Sequence, residues 1–204
     1  LALQDDLSAR QVTPMKRCWP LIALLGLALG WPTLPSSRAE GPWNWIGTQD
    51  GLLQRSIHCL SPTASGGMLV GTSGGLSYWD GRRWVSYGPG NGLPEGEITA
   101  AVEDRGTIWA GSWGGGLGCL QDGRWVRYLA ADSPLPGDWI SDLALDGQGL
   151  WIATYGQGLA HLEEGQWTLF ARASSALPTD WLTCLLPDGS GGIWIGTERA
   201  GLVH

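Results

Sequence analysis

The side chains best suited to binding chemistry in this sequence are aromatic residues that lie near charged ones. The aromatic candidates are Trp113, Tyr155, Trp139 and Trp181, and the polar candidates are Glu97, Asp138, Asp180, Glu198 and Arg199. Exposed aromatic rings stack on the apolar faces of sugars, while carboxylates and guanidinium groups hydrogen-bond to hydroxyls. The set therefore predicts a surface that binds a small molecule or a glycan.

Structural packing is the alternative role for the aromatic candidates. Trp139 and Trp181 each follow a Leu-Pro turn, against which the rings could pack. Trp113 and Tyr155 adjoin glycine-rich turns, where a side chain has more freedom. Both interpretations stay open from the sequence alone.

Catalytic and metal sites are not indicated. The three histidines, His58, His161 and His204, are expected at unrelated points of the repeat described next, so we predict no metal site. The segment 104–109 resembles the Asp-box of sialidases, but other copies change its spacing. We interpret its aspartate as a turn residue ahead of a packing tryptophan. We expect no enzymatic activity and no cofactor.

A repeat of about 42 residues must position the candidates. Its core reads Leu-Val-Gly-Thr, Trp-Ala-Gly-Ser, Trp-Ile-Ala-Thr and Trp-Ile-Gly-Thr at residues 69–72, 109–112, 151–154 and 194–197. A Leu-Pro turn precedes the core in three copies, and Gly-Leu follows it in all four. A fixed period of this length indicates supersecondary units that stack on their neighbours.

Each unit accommodates four short strands. In the second copy we predict strands at residues 98–103, 107–112, 116–121 and 124–129, because each run is apolar or alternating and is bounded by Gly, Asp or Pro. Asp122-Gly123 is a strong hairpin signal. The predicted fold is an all-β propeller of about four blades, at residues 52–92, 93–134, 135–176 and, in part, 177–204.

Recurring tryptophans have a packing explanation. A buried tryptophan covers about 150–250 Å², and one at the same place in every blade would fill the space between neighbouring sheets. We assign this role to the following residues: Trp84, Trp109, Trp125, Trp151, Trp167 and Trp194.

The combined pattern of the repeat resembles the two-component regulator propeller repeat of bacterial sensor proteins. Its elements are, in order, Leu-Pro, Ile, Asp, Gly, Leu-Trp-Ile-Gly-Thr and Gly-Leu. The copies from Leu135 to Leu159 and from Leu177 to Leu202 carry it most fully. The resemblance implies an exported ligand-sensing domain that signals to a downstream histidine kinase or diguanylate cyclase. A propeller scaffold that binds another protein, without a signalling role, is the alternative.

The N-terminal region predicts export. Residues 15–39 combine a basic start, an apolar core and a small-x-small ending, as in a secretory signal peptide, and residues 1–14 precede the expected start. The chain has 19 acidic and 12 basic residues, a formal net charge of −7. This balance disfavours binding to nucleic acid or to anionic lipid, because both need a basic surface. We predict a periplasmic or extracellular location.

The sequence is compatible with several ways of closing the propeller. Trp43-Asn44-Trp45 stands as far before Leu52 as Trp84 stands before Leu93, so it reads as the last strand of a blade. We expect these blades to be the N-terminal half of a larger propeller, with a closed four-bladed protein or a homo-oligomeric ring as alternatives. The cysteines Cys59, Cys119 and Cys184 are expected to be free and partly buried.

Overall fold

The computed structural model describes residues 43–204, so the predicted upstream segment and signal peptide lie outside the described residues. The described chain is all-β and forms four antiparallel sheets, which are successive blades of a propeller. Blade 1 contains β1 (Ile57–Pro62), β2 (Met68–Thr72), β3 (Gly75–Trp79) and β4 (Trp84–Tyr87). Blade 2 contains β5 (Ile98–Asp104), β6 (Thr107–Ser112), β7 (Gly116–Gln121) and β8 (Arg124–Tyr128).

The second half of the described chain continues the same pattern. Blade 3 contains β9 (Ile140–Leu145), β10 (Leu150–Thr154), β11 (Gly158–Glu163) and β12 (Gln166–Phe170). Blade 4 contains β13 (Leu182–Pro187), β14 (Ile193–Thr197) and β15 (Leu202–Val203). Short 3-10 turns at Thr48–Asp50 and Pro89–Asn91 precede blades 1 and 2. Within residues 43–204, no helix has the length and apolar character needed to cross a bilayer.

The strands follow the chain order within every sheet, so each blade is a simple meander. Tight turns connect the strands because their residues accept left-handed backbone. Asp122 and Gly123 between β7 and β8 have φ values of 49° and 76°, as the hairpin signal predicts. The predicted strands of blade 2 agree with the observed ones to within one residue.

A bulge at the start of the innermost strand recurs in all four blades. It falls between Ile57 and Cys59 in β1, and the same irregularity occurs at the equivalent places in β5, β9 and β13. A bulge bends a strand and redirects one side chain. In β5 it frees Thr99, whose hydroxyl donates a 2.6 Å hydrogen bond to the Ile140 carbonyl in blade 3. The bulge in β5 thereby ties blade 2 to blade 3.

Hydrophobic cores lie between the blades. Leu76 and Ile98 belong to the core between blades 1 and 2, and Leu117 and Ile140 belong to the core between blades 2 and 3. A third core joins blades 3 and 4 around Leu182. Trp109, Trp125, Trp151 and Trp167 pack against these cores, as predicted.

Two predicted packing residues differ from their counterparts because they lie on the outward side of blade 4. Trp194 and Cys184 are both exposed, although Trp151 and Cys59 at the equivalent positions are partly buried against the next blade. Among the described residues no sheet follows blade 4, so the packing predicted for Trp194 and Cys184 is not made there. Exposure depends on a neighbouring sheet, which the residue type alone does not reveal.

Candidate functional site

One backbone hydrogen bond in each blade places the candidate residues on the same face of the propeller. The donor is the backbone amide of the residue that follows the second strand of the blade, which is β2, β6, β10 or β14. The acceptor is the carbonyl of the residue just before the innermost strand of the same blade. The donor and acceptor pairs are Ser73 and Ser56, Trp113 and Glu97, Tyr155 and Trp139, and Glu198 and Trp181, at 2.8–3.2 Å. The repeat therefore brings the two variable positions of each unit together.

The four aromatic candidates form a continuous row across blades 2, 3 and 4, which we call the aromatic row. The ring centroids of Trp139 and Trp113 are 5.1 Å apart, and those of Trp113 and Tyr155 are 5.2 Å apart. Tyr155 and Trp181 follow at 4.8 Å. The contacts alternate between edge-on and tilted geometries, which are favourable for aromatic pairs. The structure brings these four residues together, and their role in binding stays a prediction.

The aromatic row is partly open to solvent. Trp139 is 47% exposed and Trp181 is 48% exposed, so neither ring is buried against its Leu-Pro turn. Each ring instead lies near a glycine of the preceding blade, Gly114 for Trp139 and Gly156 for Trp181. Both glycines have positive φ values, which an L side chain rarely adopts. The contact with the glycine turn therefore holds each ring in place while about half of the residue stays exposed.

Glu198 and Arg199 lie at the blade 4 end of the aromatic row. They line an open pocket of about 430 Å³ together with Tyr155, Thr179 and Trp181. The Arg199 guanidinium is 3.5 Å from the Glu198 carboxylate. The pKa of Tyr155 is raised because its hydroxyl is hydrogen-bonded to Glu198 and its charged form would be repelled by that carboxylate. The pocket thus joins aromatic surface to both donors and acceptors.

Glu97 lies at the opposite end of the row, beside a polar cluster that the sequence analysis missed. His58 Nε2 is 2.8 Å from Ser73 Oγ and 3.7 Å from a Glu97 carboxylate oxygen. His58 is the bulged residue of β1, equivalent to Thr99 in blade 2. His58 follows the first residue of β1, as Thr99 follows the first residue of β5. This shared position was the sequence signal that could have placed His58 on this face.

Asp138 and Asp180 have a structural role that the prediction did not assign. The carboxylate of Asp138 accepts the Ala130 amide at 2.8 Å, and that of Asp180 accepts the Arg172 amide at 2.7 Å. Their backbone carbonyls each accept two glycine amides of the preceding blade. Because these groups fix the loops beneath the aromatic row, we interpret both aspartates as supports for the row.

The turn aspartates before the repeat tryptophans also behave as structural residues. Asp146 Oδ1 accepts the amides of Gln148 and Gly149, both at 2.8 Å, and its Oδ2 accepts the Trp151 indole at 2.7 Å. Burial opposes ionisation of Asp146, but these hydrogen bonds outweigh it and lower the pKa of the carboxyl group. Asp146 is therefore a turn residue that also holds the repeat tryptophan.

Two histidines occupy equivalent positions, so the prediction that all three are unrelated is wrong. His161 stacks on Trp151 with centroids 4.1 Å apart and is 3.4 Å from Asp146. His204 lies 4.2 Å from the Trp194 ring and 2.9 Å from Asp188. The constant ten-residue interval from tryptophan to histidine was the missed signal. Among residues 43–204, no group of three or more His, Cys, Asp or Glu side chains is arranged to hold a metal.

A family comparison identifies two of the repeats. Residues 134–156 and 176–199 match the family model described as two component regulator propeller. The resemblance inferred from the sequence is thus confirmed, and the third and fourth units carry two component regulator propeller repeats. These stretches contain three residues of the aromatic row, Trp139, Tyr155 and Trp181. No curated protein matches the chain.

Solved structures show the same fold at low sequence identity. The extracellular domain of a protein described as a hybrid two component system of B. thetaiotaomicron is 21% identical, with a TM-score of 0.69 over 78% of this chain and 24% of that one. PorZ of Porphyromonas gingivalis, a surface component of the type-IX secretion system, is 21% identical, with a TM-score of 0.57 over 72% of this chain and 25% of that one.

A designed protein is similar as well, and its length is closer to that of the described blades. The computationally designed Ika4 protein is 14% identical, with a TM-score of 0.59 over 75% of this chain and 92% of that one. The chain spans about a quarter of the length of the B. thetaiotaomicron and Porphyromonas structures. At these identities the likeness shows a shared propeller fold.

Proposed function

We propose that this chain is an exported, non-catalytic ligand-sensing propeller domain that binds a glycan across the aromatic row. The observation on which the proposal rests is the unbroken line of rings from Trp139 through Trp113 and Tyr155 to Trp181. A line of aromatic faces with polar groups at both ends matches the alternating apolar and hydroxyl surfaces of a saccharide.

The polar groups at the blade 4 end favour a ligand with many hydroxyls. Glu198 supplies carboxylate acceptors, and Arg199, whose side chain is 89% exposed, supplies guanidinium donors. Their separation of 3.5 Å leaves exposed hydrogen-bonding capacity on both groups, because a surface ion pair is weak and easily rearranged by a ligand. Sugars of several units fit an extended row better than a compact ligand does.

Export and signalling are part of the proposal. The two component regulator propeller repeats and the likeness to an extracellular domain of a hybrid two component system support a domain that receives a ligand outside the cytoplasm. In this proposal the signal passes to a downstream histidine kinase or diguanylate cyclase. The repeat resemblance supports this step, and the aromatic row supplies the input.

The test is a binding survey with soluble neutral and acidic oligosaccharides of two to six units. Binding is measured by calorimetry and by the change in tryptophan fluorescence, and the saccharides are analysed afterwards for cleavage. We expect at least one saccharide to bind without being shortened, and Trp181→Ala to weaken its binding at least tenfold. A tenfold loss corresponds to about 1.4 kcal/mol, within the range of one aromatic stacking contact.

Trp43→Ala is the matched control for the binding survey. Trp43 is 85% exposed and belongs to the segment ahead of blade 1, so its removal leaves the aromatic row unchanged. Equal loss in both variants would contradict the assignment of the site to the row. If no saccharide in the survey binds, the glycan proposal is wrong and the scaffold alternative is favoured.

A further inference from the structure

The boundary between blades 1 and 2 departs from the repeat on the face that carries the aromatic row. At the two later boundaries an aromatic pair bridges the blades, and the pairs are Trp113 with Trp139 and Tyr155 with Trp181. The equivalent positions between blades 1 and 2 hold Ser73 and Glu97. Both aromatic positions are therefore polar at this boundary, which lies between two blades that the structure describes.

The turn of blade 1 is also one residue shorter than its counterparts. Residues 73–74 connect β2 to β3, whereas residues 113–115 and 155–157 connect the equivalent strands of blades 2 and 3. In the longer turns, the amides of Gly114 and Gly156 donate hydrogen bonds to the next blade at 3.0 and 2.9 Å. Within the described part of the chain, no backbone hydrogen bond joins the shorter turn to the loop that enters blade 2. The contact found there is instead between side chains.

His58 makes this contact from the bulge of β1. The bulged residues of the other blades carry hydroxyl groups and are Thr99, Ser141 and Thr183. His58 Nε2 lies 2.8 Å from the Ser73 hydroxyl and 3.7 Å from a Glu97 carboxylate oxygen. We call His58, Ser73 and Glu97 the polar cluster. Three departures from the repeat therefore meet at one place beside the aromatic row.

The geometry of the polar cluster does not fit nucleophilic catalysis. In a catalytic set of serine, histidine and carboxylate, one ring nitrogen takes the serine proton and the other holds the carboxylate. Here the Ser73 hydroxyl and the Glu97 carboxylate both approach Nε2 of His58. Because one nitrogen cannot fill both roles at once, we assign the cluster to binding.

Glu97 keeps its hydrogen-bonding capacity for a ligand. Its carboxylate lies beyond hydrogen-bond distance of His58, and its side chain is 51% exposed. Among the residues that the structure describes, no arginine forms an ion pair with Glu97. The carboxylates of Asp138 and Asp180, in contrast, accept backbone amides. An ionised carboxylate can only accept hydrogen bonds, and a positively charged donor gives it the strongest ones.

We propose that the polar cluster binds the protonated amine of an amino sugar, and that Glu97 is the carboxylate that pairs with this amine. The sugar unit that carries the amine lies at the blade 2 end of the aromatic row, next to Trp113, whose amide donates to the Glu97 carbonyl at 2.8 Å. A positive charge near an aromatic ring is itself favourable. The formal net charge of −7 on the chain also favours a basic ligand over an acidic one.

This inference rests on the proposed function, because the aromatic row binds the rest of the saccharide. It adds the class of ligand, a glycan that contains unacetylated amino sugars. The row supplies stacking surface for any sugar ring, whereas Glu97 selects for a charge that neutral and acidic sugars lack.

The test uses three β-1,4-linked tetrasaccharides that differ only at carbon 2 of each sugar unit. Cellotetraose has a hydroxyl group there, the N-acetylglucosamine tetramer has an acetamide, and the glucosamine tetramer has an amine. In calorimetry near neutral pH, we expect the wild-type chain to bind the glucosamine tetramer about fivefold more tightly than cellotetraose, which is the upper range for a solvent-exposed ion pair. Glu97→Gln should remove this preference and change the affinity for each uncharged tetramer by less than about twofold.

Glu163→Gln is the matched control. It removes the same charge from an exposed residue at the end of β11, whereas the turn that carries Tyr155 lies at the start of that strand. This variant should keep the preference for the glucosamine tetramer. Raising the salt concentration from about 0.02 to about 0.5 M should reduce the preference of the wild-type chain, because salt screens exposed charges.

The inference is overturned if the wild-type chain binds the glucosamine tetramer no more tightly than cellotetraose, or if Glu97→Gln keeps the preference. Equal effects of Glu97→Gln and Glu163→Gln would also overturn it, because the ligand would then respond to net charge and not to the polar cluster. Glu97 is exposed, so unchanged far-ultraviolet circular dichroism verifies that its variant is folded.

Trp181→Ala separates this inference from the proposed function. If it abolishes cellotetraose binding while Glu97→Gln has no effect on any tetramer, the aromatic row is supported and the polar cluster is not. If the preference for the glucosamine tetramer depends on Glu97 but no tetramer responds to Trp181→Ala, the cluster is supported and the row is not. Absence of binding for all three tetramers contradicts both.

Discussion

Leu117 and Leu202 occupy the same repeat position, and they allow a matched test of how much inter-blade packing stabilises the fold. Leu117 is fully buried between blades 2 and 3, whereas Leu202 is 67% exposed. A leucine to alanine change removes about 2.4 kcal/mol of transfer free energy, at about 0.8 kcal/mol per methylene-sized group. In Leu117→Ala, the cavity left between two sheets adds about 1 kcal/mol or more. We expect a total loss of about 3–4 kcal/mol.

Leu202→Ala should destabilise the fold much less. Only about a third of the side chain is covered, so about 0.8 kcal/mol of transfer free energy is at stake, and a site open to solvent leaves no cavity. The measurement is the free energy of unfolding in urea. Equal losses in the two variants, or a loss below about 1 kcal/mol for Leu117→Ala, would refute the assignment of Leu117 to a core between two blades.

Two further predictions concern a carboxylate and a close packing contact. The pKa of Asp146 is lowered in the folded chain, so its contribution to stability is present above the unfolded pKa of about 3.9 and is lost as the pH falls through the folded value. The stability difference between wild type and Asp146→Asn should therefore shrink from pH 7 to pH 3 in urea titrations, and a constant difference would contradict this origin. Gly111→Ala would place a methyl group 2.9 Å from the Ile140 Cβ in the next blade, and it should lower stability by about 1–3 kcal/mol. Gly90→Ala, which meets no neighbour within 4 Å, is the control for that measurement and should be neutral.

The strands and the blade order were predictable because they depend on local signals repeated four times. A hairpin at Asp122-Gly123 needs only two residues that accept positive φ, and both have it. The exposure of Trp194 was not predictable in this way. Its residue type and position match Trp151, and the difference comes from the sheet that covers one of them and not the other.

The candidate site was predictable in its placement and less so in its chemistry. Trp139 and Tyr155 are neighbours because each unit repeats the same backbone hydrogen bond between the same two positions. The role of Asp138 was not evident, because an aspartate beside an aromatic residue looks the same whether its carboxylate faces a ligand or holds a backbone amide. Only the Ala130 contact distinguishes the two.

The aromatic row crosses the boundaries between blades, and this links binding to the packing of the sheets. Trp113 belongs to blade 2, Tyr155 to blade 3 and Trp181 to blade 4, so a ligand that stacks on all three rings contacts three sheets at once. Anything that binds only this arrangement stabilises it by RT ln(1 + [L]/Kd), which is about 2.7 kcal/mol at a hundredfold excess over Kd. A ligand on the row would therefore strengthen the inter-blade contacts beneath it. Loosening those contacts, as in Leu117→Ala, should weaken binding although Leu117 lies in the core and outside the row.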